Sequence, residues 1–187
     1  MKTAMLAVVA ALLFGTAASA GVITYSALLG NFESPPTGSP GTGFASVTVD
    51  SVLNTMLVNV TFSGLTSGDT ASHIHCCITQ GGNAGVATTT PTFTGFPSGV
   101  TSGTYSHLFD LTLASSYNPA FVTAEGGTVA GAEAALLAGL AANQTYLNIH
   151  TTNNPGGEIR GFLAAPEPGT CLLAGVVLAG FLIRRRK

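Results

Sequence analysis

Strict alternation of apolar and polar side chains is the feature that most limits how this chain can fold. Between Met56 and Phe62 every second residue is large and apolar, and Asn59 and Thr61 lie at positions between them. Because successive side chains of a strand point to opposite faces, this period of two predicts an antiparallel strand with one buried face. Similar segments recur along the chain, and we predict seven strands, at 22–29, 43–49, 56–62, 72–78, 106–113, 145–150 and 158–163.

One segment departs from this alternation. Residues 131–142 are rich in Ala and Leu, with Ala134, Leu137 and Ala141 at helical spacing, which predicts one short helix. Clusters of Gly, Pro, Asn and Ser separate the predicted strands and suit turns. We therefore predict an all-β fold: a single antiparallel β-sandwich, Ig-like or Greek key, of about seven strands with one short helix in a crossover.

Both ends of the chain read as processing segments. Lys2 precedes an apolar stretch at 4–18, and Ala18-Ser19-Ala20 is a small-x-small cleavage site, the pattern of a secretory signal peptide that signal peptidase removes. We therefore divide the chain into a signal peptide at 1–20, a β-sandwich domain at 21–165, and a sorting or anchor segment at 166–187.

The tail combines a Pro-Glu-Pro box, an apolar run at 169–183 and a basic cluster. The basic cluster stops transfer, because each charge in hydrocarbon costs about 2.5–3.5 kcal/mol, and the apolar run is shorter than the roughly twenty residues of a transmembrane helix. The tail resembles the PEP-CTERM sorting signal of Gram-negative bacteria, with an ordinary tail anchor as the alternative. Its signal residues are Pro166, Glu167, Pro168, Arg184, Arg185 and Arg186.

The PEP-CTERM resemblance implies partners and a destination. An exosortase recognises and removes such a tail, so the chain would be held transiently in the inner membrane by a C-terminal hydrophobic helix. It would then be released to the cell surface or to the extracellular polysaccharide matrix, which is a further candidate partner.

Charge is scarce in the segment between the two ends. Residues 21–165 contain seven Asp and Glu, and Arg160 is the only Lys or Arg, so the net charge is 1 − 7 = −6. A surface without cations cannot neutralise phosphates, which excludes ordinary nucleic-acid binding and attachment to anionic lipid through basic patches. We expect partners that are neutral, cationic or metallic.

Three of the four histidines are brought to one face by strand parity. His73 and His75 alternate with Ile74, and His150 ends another predicted strand, so we expect the three imidazoles to point away from the apolar face of the sheet. Two histidines at i and i+2, with a third from a neighbouring strand, could bind copper or zinc. Glu158 is predicted as a fourth ligand or as the acceptor of an imidazole N–H. The alternative is surface histidines hydrogen-bonded to Glu158 and to turn backbone.

Other chemistry-bearing residues have more ordinary interpretations. His107 is predicted as a core residue at a strand edge, and Arg160 as the partner of Glu158 or Asp69. Cys77 lies on the histidine face and is either a soft metal ligand or a small, partly buried thiol. It could bridge to its chain neighbour only with local backbone distortion, so the state of this pair stays open.

No catalytic set is recognisable. The sequence has no Gly-x-Ser-x-Gly elbow, no phosphate-binding glycine loop and no paired carboxylates, so any enzymatic activity would depend on a metal alone, and we expect a non-catalytic module. A glycan-binding or adhesive module is a further alternative, although the chain has no Trp and the platform on which sugar rings stack would be poor. It would use exposed Tyr25, Tyr105, Tyr117 or Tyr146.

Several segments together resemble the CHRD domain, which is named for chordin and also occurs in bacterial extracellular proteins. The segments include ALLGNFESPP at 27–36, ASHIHC at 71–76, YLNIHT at 146–151 and PGGEIRG at 155–161. The resemblance spans about residues 24–163 and implies an all-β extracellular module. It implies a fold and no reaction.

Overall fold

The structure is a computed structural model that describes residues 21–166; the predicted signal peptide and the predicted hydrophobic helix of the tail lie outside this range. Its strands are β1 (Val22–Leu29), β2 (Thr42–Asp50), β3 (Thr55–Ser63), β4 (Asp69–Cys76), β5 (Gly85–Val86), β6 (Gly103–Asp110), β7 (Thr145–Thr151) and β8 (Ile159–Phe162). Its helices are a 3-10 turn at Ala114–Ser116, α1 (Pro119–Ala124) and α2 (Val129–Ala141). Within this range no helix is both long enough and apolar enough to span a bilayer.

The strands form two four-stranded antiparallel sheets, so the predicted all-β sandwich is confirmed. The first sheet has the order β1-β2-β3-β6, and the second has the order β5-β4-β7-β8. Their apolar faces meet in one core, where Val47 and Val58 of the first sheet and Ile74 and Leu147 of the second are fully buried. The alternation read from the sequence therefore selects the core face correctly on both sheets.

The connection from β6 to β7 crosses from the first sheet to the second and carries both α-helices. The predicted helix at 131–142 is α2, which begins two residues earlier because the Thr128 side chain accepts a hydrogen bond from Gly131 N and caps it. Helix α1 was not predicted; it is short, with Pro119 at its start and Asn118 capping Ala120 N. The two-residue β5 was also not predicted, because so short a strand has no detectable period.

The outer face of the second sheet is covered by loops. On that face β4 and β7 are adjacent, and His73 lies opposite Asn148 in the ladder. Asn148 lies opposite Arg160 of β8. All three residues are buried, so this polar face is enclosed by the loops that pass over it.

Candidate metal centre

Three histidines converge on the outer face of the second sheet. His73 and His75 lie on β4 and His150 lies on the neighbouring β7. One ring nitrogen of each lies within 4.8 Å of those of the other two. His73 and His75 are only 6% and 7% exposed and His150 is half-buried, so the cluster lies largely beneath the surface.

Each imidazole is oriented by a backbone carbonyl. His73 Nε2 lies 2.6 Å from the oxygen of Pro91, His75 Nδ1 lies 2.9 Å from that of Ala84, and His150 Nδ1 lies 2.9 Å from that of Pro155. A carbonyl oxygen can only accept, so each of these ring nitrogens must carry the proton and donate it. This assigns the tautomer of all three rings.

The second nitrogen of each ring is therefore left with a free lone pair. His73 Nδ1 and His150 Nε2 lie 3.3 Å apart, yet neither carries a proton to share, because both N–H groups are used on carbonyls. His75 Nε2 is buried and has no hydrogen-bond partner. Two nitrogens bound at about 2.0–2.1 Å to one tetrahedral ion lie about 3.3 Å apart, which is the spacing found here.

Burial keeps the imidazoles neutral. It lowers the pKa of His73 to about 4, with the His150 ring lowering it further and the hydrogen bond to Pro91 opposing the change. It lowers the pKa of His75 to about 4 for the same reason. The pKa of His150 is also lowered by burial. Neutral imidazole is the form that binds metals, so the site is prepared for a cation near neutral pH.

Tyr146 and Arg160 support His75 from the side. The His75 and Tyr146 rings are stacked with centroids 4.7 Å apart, and the Arg160 guanidinium lies 4.7 Å from the centroid of the same tyrosine ring. The Tyr146 hydroxyl accepts a hydrogen bond from Ala84 N at 3.1 Å, so the tyrosine also fixes the loop whose carbonyl orients His75. Contacts of this kind around a metal-binding imidazole fix the orientation of its ring.

Glu158 does not join the histidines. Its carboxylate accepts hydrogen bonds from the hydroxyl of Ser39, from the backbone and hydroxyl of Thr66, from the hydroxyl of Thr151 and from the amide of Asn154. The predicted contact between this carboxylate and an imidazole N–H is therefore wrong, since backbone carbonyls fill that role. Glu158 was also predicted as a fourth metal ligand, but its carboxylate does not belong to the group of converging ring nitrogens.

The predicted partners of Arg160 are also wrong. Its Nε lies 3.7 Å from Glu33 Oε2, and it donates to the carbonyl of Phe32 at 2.6 Å. Burial raises the pKa of Glu33 to about 7, against the opposing effect of Arg160. Asp69 instead accepts from Val100 N at 2.8 Å.

The two adjacent cysteines are joined as a disulfide in the structure. Cys76 and Cys77 are joined, so Cys77 is not available as a thiolate ligand.

His107 lies on β6 in the other sheet, half-buried between the rings of Tyr105 and Phe109 at centroid distances of 6.2 and 4.6 Å. It is therefore remote from the three converging histidines in the fold.

The tyrosine platform of the adhesive alternative is wrong. All four tyrosines belong to the interior or to the covered face, with exposures of 5%, 7%, 2% and 2% for Tyr25, Tyr105, Tyr117 and Tyr146. The period of two could have indicated this for Tyr25 and Tyr105, which alternate with polar residues on their strands.

The comparisons with known proteins agree with the architecture. The family model described as the CHRD domain matches residues 24–163, and the one described as the PEP-CTERM protein-sorting motif matches residues 164–187. No curated protein and no solved structure matches this chain.

Proposed function

Because the chain belongs to the CHRD domain family and ends in a PEP-CTERM sorting motif, we propose that it is an exported β-sandwich module that binds one copper or zinc ion. The sorting motif marks an exported protein that an exosortase processes. Release of the domain to the cell surface or to the extracellular matrix, after a transient stage in the inner membrane, is part of the proposal.

One observation carries the metal-binding proposal: three imidazoles, two buried and one half-buried, converge with free lone pairs and no proton between them. Two neutral imidazoles without a ligand gain nothing from holding their lone pairs 3.3 Å apart, and leaving His75 Nε2 buried without a partner costs about 1–3 kcal/mol. A cation at the centre would satisfy all three nitrogens. Nitrogen ligands of this kind suit copper and zinc.

The metal content of the exported protein tests this proposal. We expect about one copper or zinc ion per chain by elemental analysis after dialysis, and its loss in the double variant His73→Ala/His75→Ala. His107→Ala is the matched control, since it removes an imidazole on the other sheet and should leave the metal in place. Absence of stoichiometric metal, or metal unaffected by the double variant, would refute the proposal.

The ligands can be identified separately from the stoichiometry. Copper(II) added to the metal-free protein should give an electron paramagnetic resonance spectrum with hyperfine splitting from nitrogen, and His150→Ala should change that spectrum. A spectrum that is identical in the wild type and in this variant would exclude His150 as a ligand.

The sorting half of the proposal has its own test. The wild-type chain should be recovered shortened and outside the inner membrane, while a variant carrying Pro166→Ala and Glu167→Ala should stay full-length in that membrane. A wild-type chain that remains full-length and permanently in the inner membrane would refute release without affecting the metal site.

A further inference from the structure

Large apolar side chains are exposed together at one end of the sandwich. Val22 and Ile23 at the start of β1 are 63% and 41% exposed, and Val52 and Leu53 in the turn between β2 and β3 are 67% and 68% exposed. We refer to these four residues as the apolar tip. Grouped apolar side chains on a surface mark contact with a partner or a membrane.

The four residues belong to one end because backbone pairing brings them together. Val22 lies opposite Asp50 in the β1–β2 ladder, and the turn follows Asp50 directly. Asp50 Oδ1 accepts from Val52 N at 2.9 Å and from Leu53 N at 3.0 Å, which fixes the turn.

The chain leaves the fold toward the same end. Arg160 pairs with Gly30, and four residues later Ala164 pairs with Ser26, so this segment runs antiparallel along the free edge of β1 toward Val22. Ser26 N donates to the Ala164 carbonyl at 2.9 Å, and Ala164 N donates to the Ser26 carbonyl at 3.1 Å.

The point at which the chain leaves the fold, after Ala164, is next to the apolar tip. Ala165 and Pro166 line the same surface cleft as Val22 and Ile23. The apolar run of the tail starts at Gly169. Four residues lie between Ala164 and Gly169, and these five residue steps span about 17 Å of fully extended chain at most. A tail inserted in a bilayer therefore holds this end of the sandwich against the lipid.

We propose that the apolar tip is seated in the lipid surface of the inner membrane while the tail is still attached. This inference rests on the proposed membrane stage of the sorting pathway. The contact is made by apolar side chains, since Arg160, the only Lys or Arg of residues 21–165, is buried on the other sheet and cannot attract anionic headgroups. Side chains of this size enter the boundary between headgroups and acyl chains.

The absence of Trp from the chain allows single-tryptophan probes. Leu53→Trp places the fluorophore in the tip. Leu28→Trp is the matched control, because Leu28 is 74% exposed and lies at the other end of β1, six residues and about 20 Å from Val22. The chain from residue 21, with its tail, is reconstituted in phosphatidylcholine vesicles with or without brominated acyl chains.

We expect brominated lipid to quench the fluorescence of Leu53→Trp at least twofold and to change that of Leu28→Trp little. Val52→Trp is the second probe if Leu53→Trp does not fold. Equal quenching of both probes, or none in protein that floats with the vesicles, overturns the tip contact and leaves the sorting proposal intact.

Two further outcomes are decisive. A chain that does not float with the vesicles overturns both the membrane stage and the tip contact. A tip probe that is shielded from aqueous acrylamide only at high protein density, and is not quenched by brominated lipid, indicates a second copy of the chain as the occupant and overturns the lipid contact.

Discussion

At the scale of single residues, the three imidazoles are held in fixed orientations by hydrogen bonds of the fold itself. Each donates one N–H to a carbonyl of the loop or turn that covers it, and burial lowers the pKa of all three. Preorganised neutral rings lose little freedom on binding, which favours tight coordination.

The tautomers give a direct prediction. In metal-free protein at pH 5.5, His73 should be neutral with its proton on Nε2, and His75 neutral with its proton on Nδ1, because each proton is held by a carbonyl. Long-range ¹⁵N–¹H correlation spectra of the imidazoles measure this. Cationic rings at pH 5.5, or the opposite tautomers, would contradict the geometry.

Glu158 gives a second prediction at this scale. Burial alone would raise the pKa of Glu158, but the hydrogen bonds from Ser39, Thr151 and Thr66 outweigh it and lower the pKa to about 2. Since the ordinary value is 4.5, the carboxylate contributes stability above pH 4.5 that is lost as the pH falls toward 2. Glu158→Gln should lower the free energy of unfolding by about 2–3 kcal/mol at pH 7.

Urea unfolding at pH 7 and at pH 3 checks this prediction. The difference between wild type and Glu158→Gln should shrink by about 2 kcal/mol at pH 3, since the wild type alone loses the carboxylate contribution. Glu125→Gln is the control, because Glu125 lies at the C-terminal end of α1 and receives none of the hydrogen bonds from Ser39, Thr66 and Thr151. A pH-independent difference would show that Glu158 acts through packing alone.

At the scale of secondary structure, the site needs two neighbouring strands and the loops above them. Strand parity predicted correctly that His73, His75 and His150 share a face, because a period of two is a property of each strand alone. It could not predict the carbonyls that orient the rings, since these depend on the conformations of long loops. The position of Glu158 was missed for a related reason: its partner Thr66 is 92 residues away in the chain.

Helix α2 packs closely against the disulfide, without space for an added side-chain atom at Gly139. A Cβ atom at Gly139 would lie 2.5 Å from Cys76 Sγ and 2.7 Å from Cys77 Sγ. We therefore predict that Gly139→Ala lowers the free energy of unfolding by about 1–3 kcal/mol, because the helix must move away from β4. Chemical denaturation measures this, with Gly85→Ala as control, since a Cβ there meets no atom within 4 Å. An unchanged stability would mean that the helix shifts without cost.

At the scale of the whole molecule, the candidate site joins parts of the chain that are far apart in sequence. Its rings come from β4 and β7, and the carbonyls that hold them belong to the loops on either side of β5 and to the turn after β7. An ion bound there would therefore resist unfolding of the second sheet and of the loops together.

Thermal unfolding tests this coupling. Zinc at a hundred times its dissociation constant should add about 2.7 kcal/mol to the stability of the metal-free protein, which corresponds to a Tm increase of about 5–10 °C for a domain of this size. Calorimetry with and without zinc measures the shift, and His73→Ala should abolish it while His107→Ala should not. An equal shift in both variants would place the ion elsewhere.

The pairing of Ala164 with Ser26 has a consequence for how far the domain can reach. Ala164 is hydrogen-bonded to the edge of β1 and Pro166 already belongs to the sorting box, so a single residue separates the fold from that box. A domain with so short a connection cannot extend far from a surface to which the chain is joined at this box. If the chain were cut and joined to a surface there, the Ala164 end of the sandwich would lie within about 10 Å of that surface.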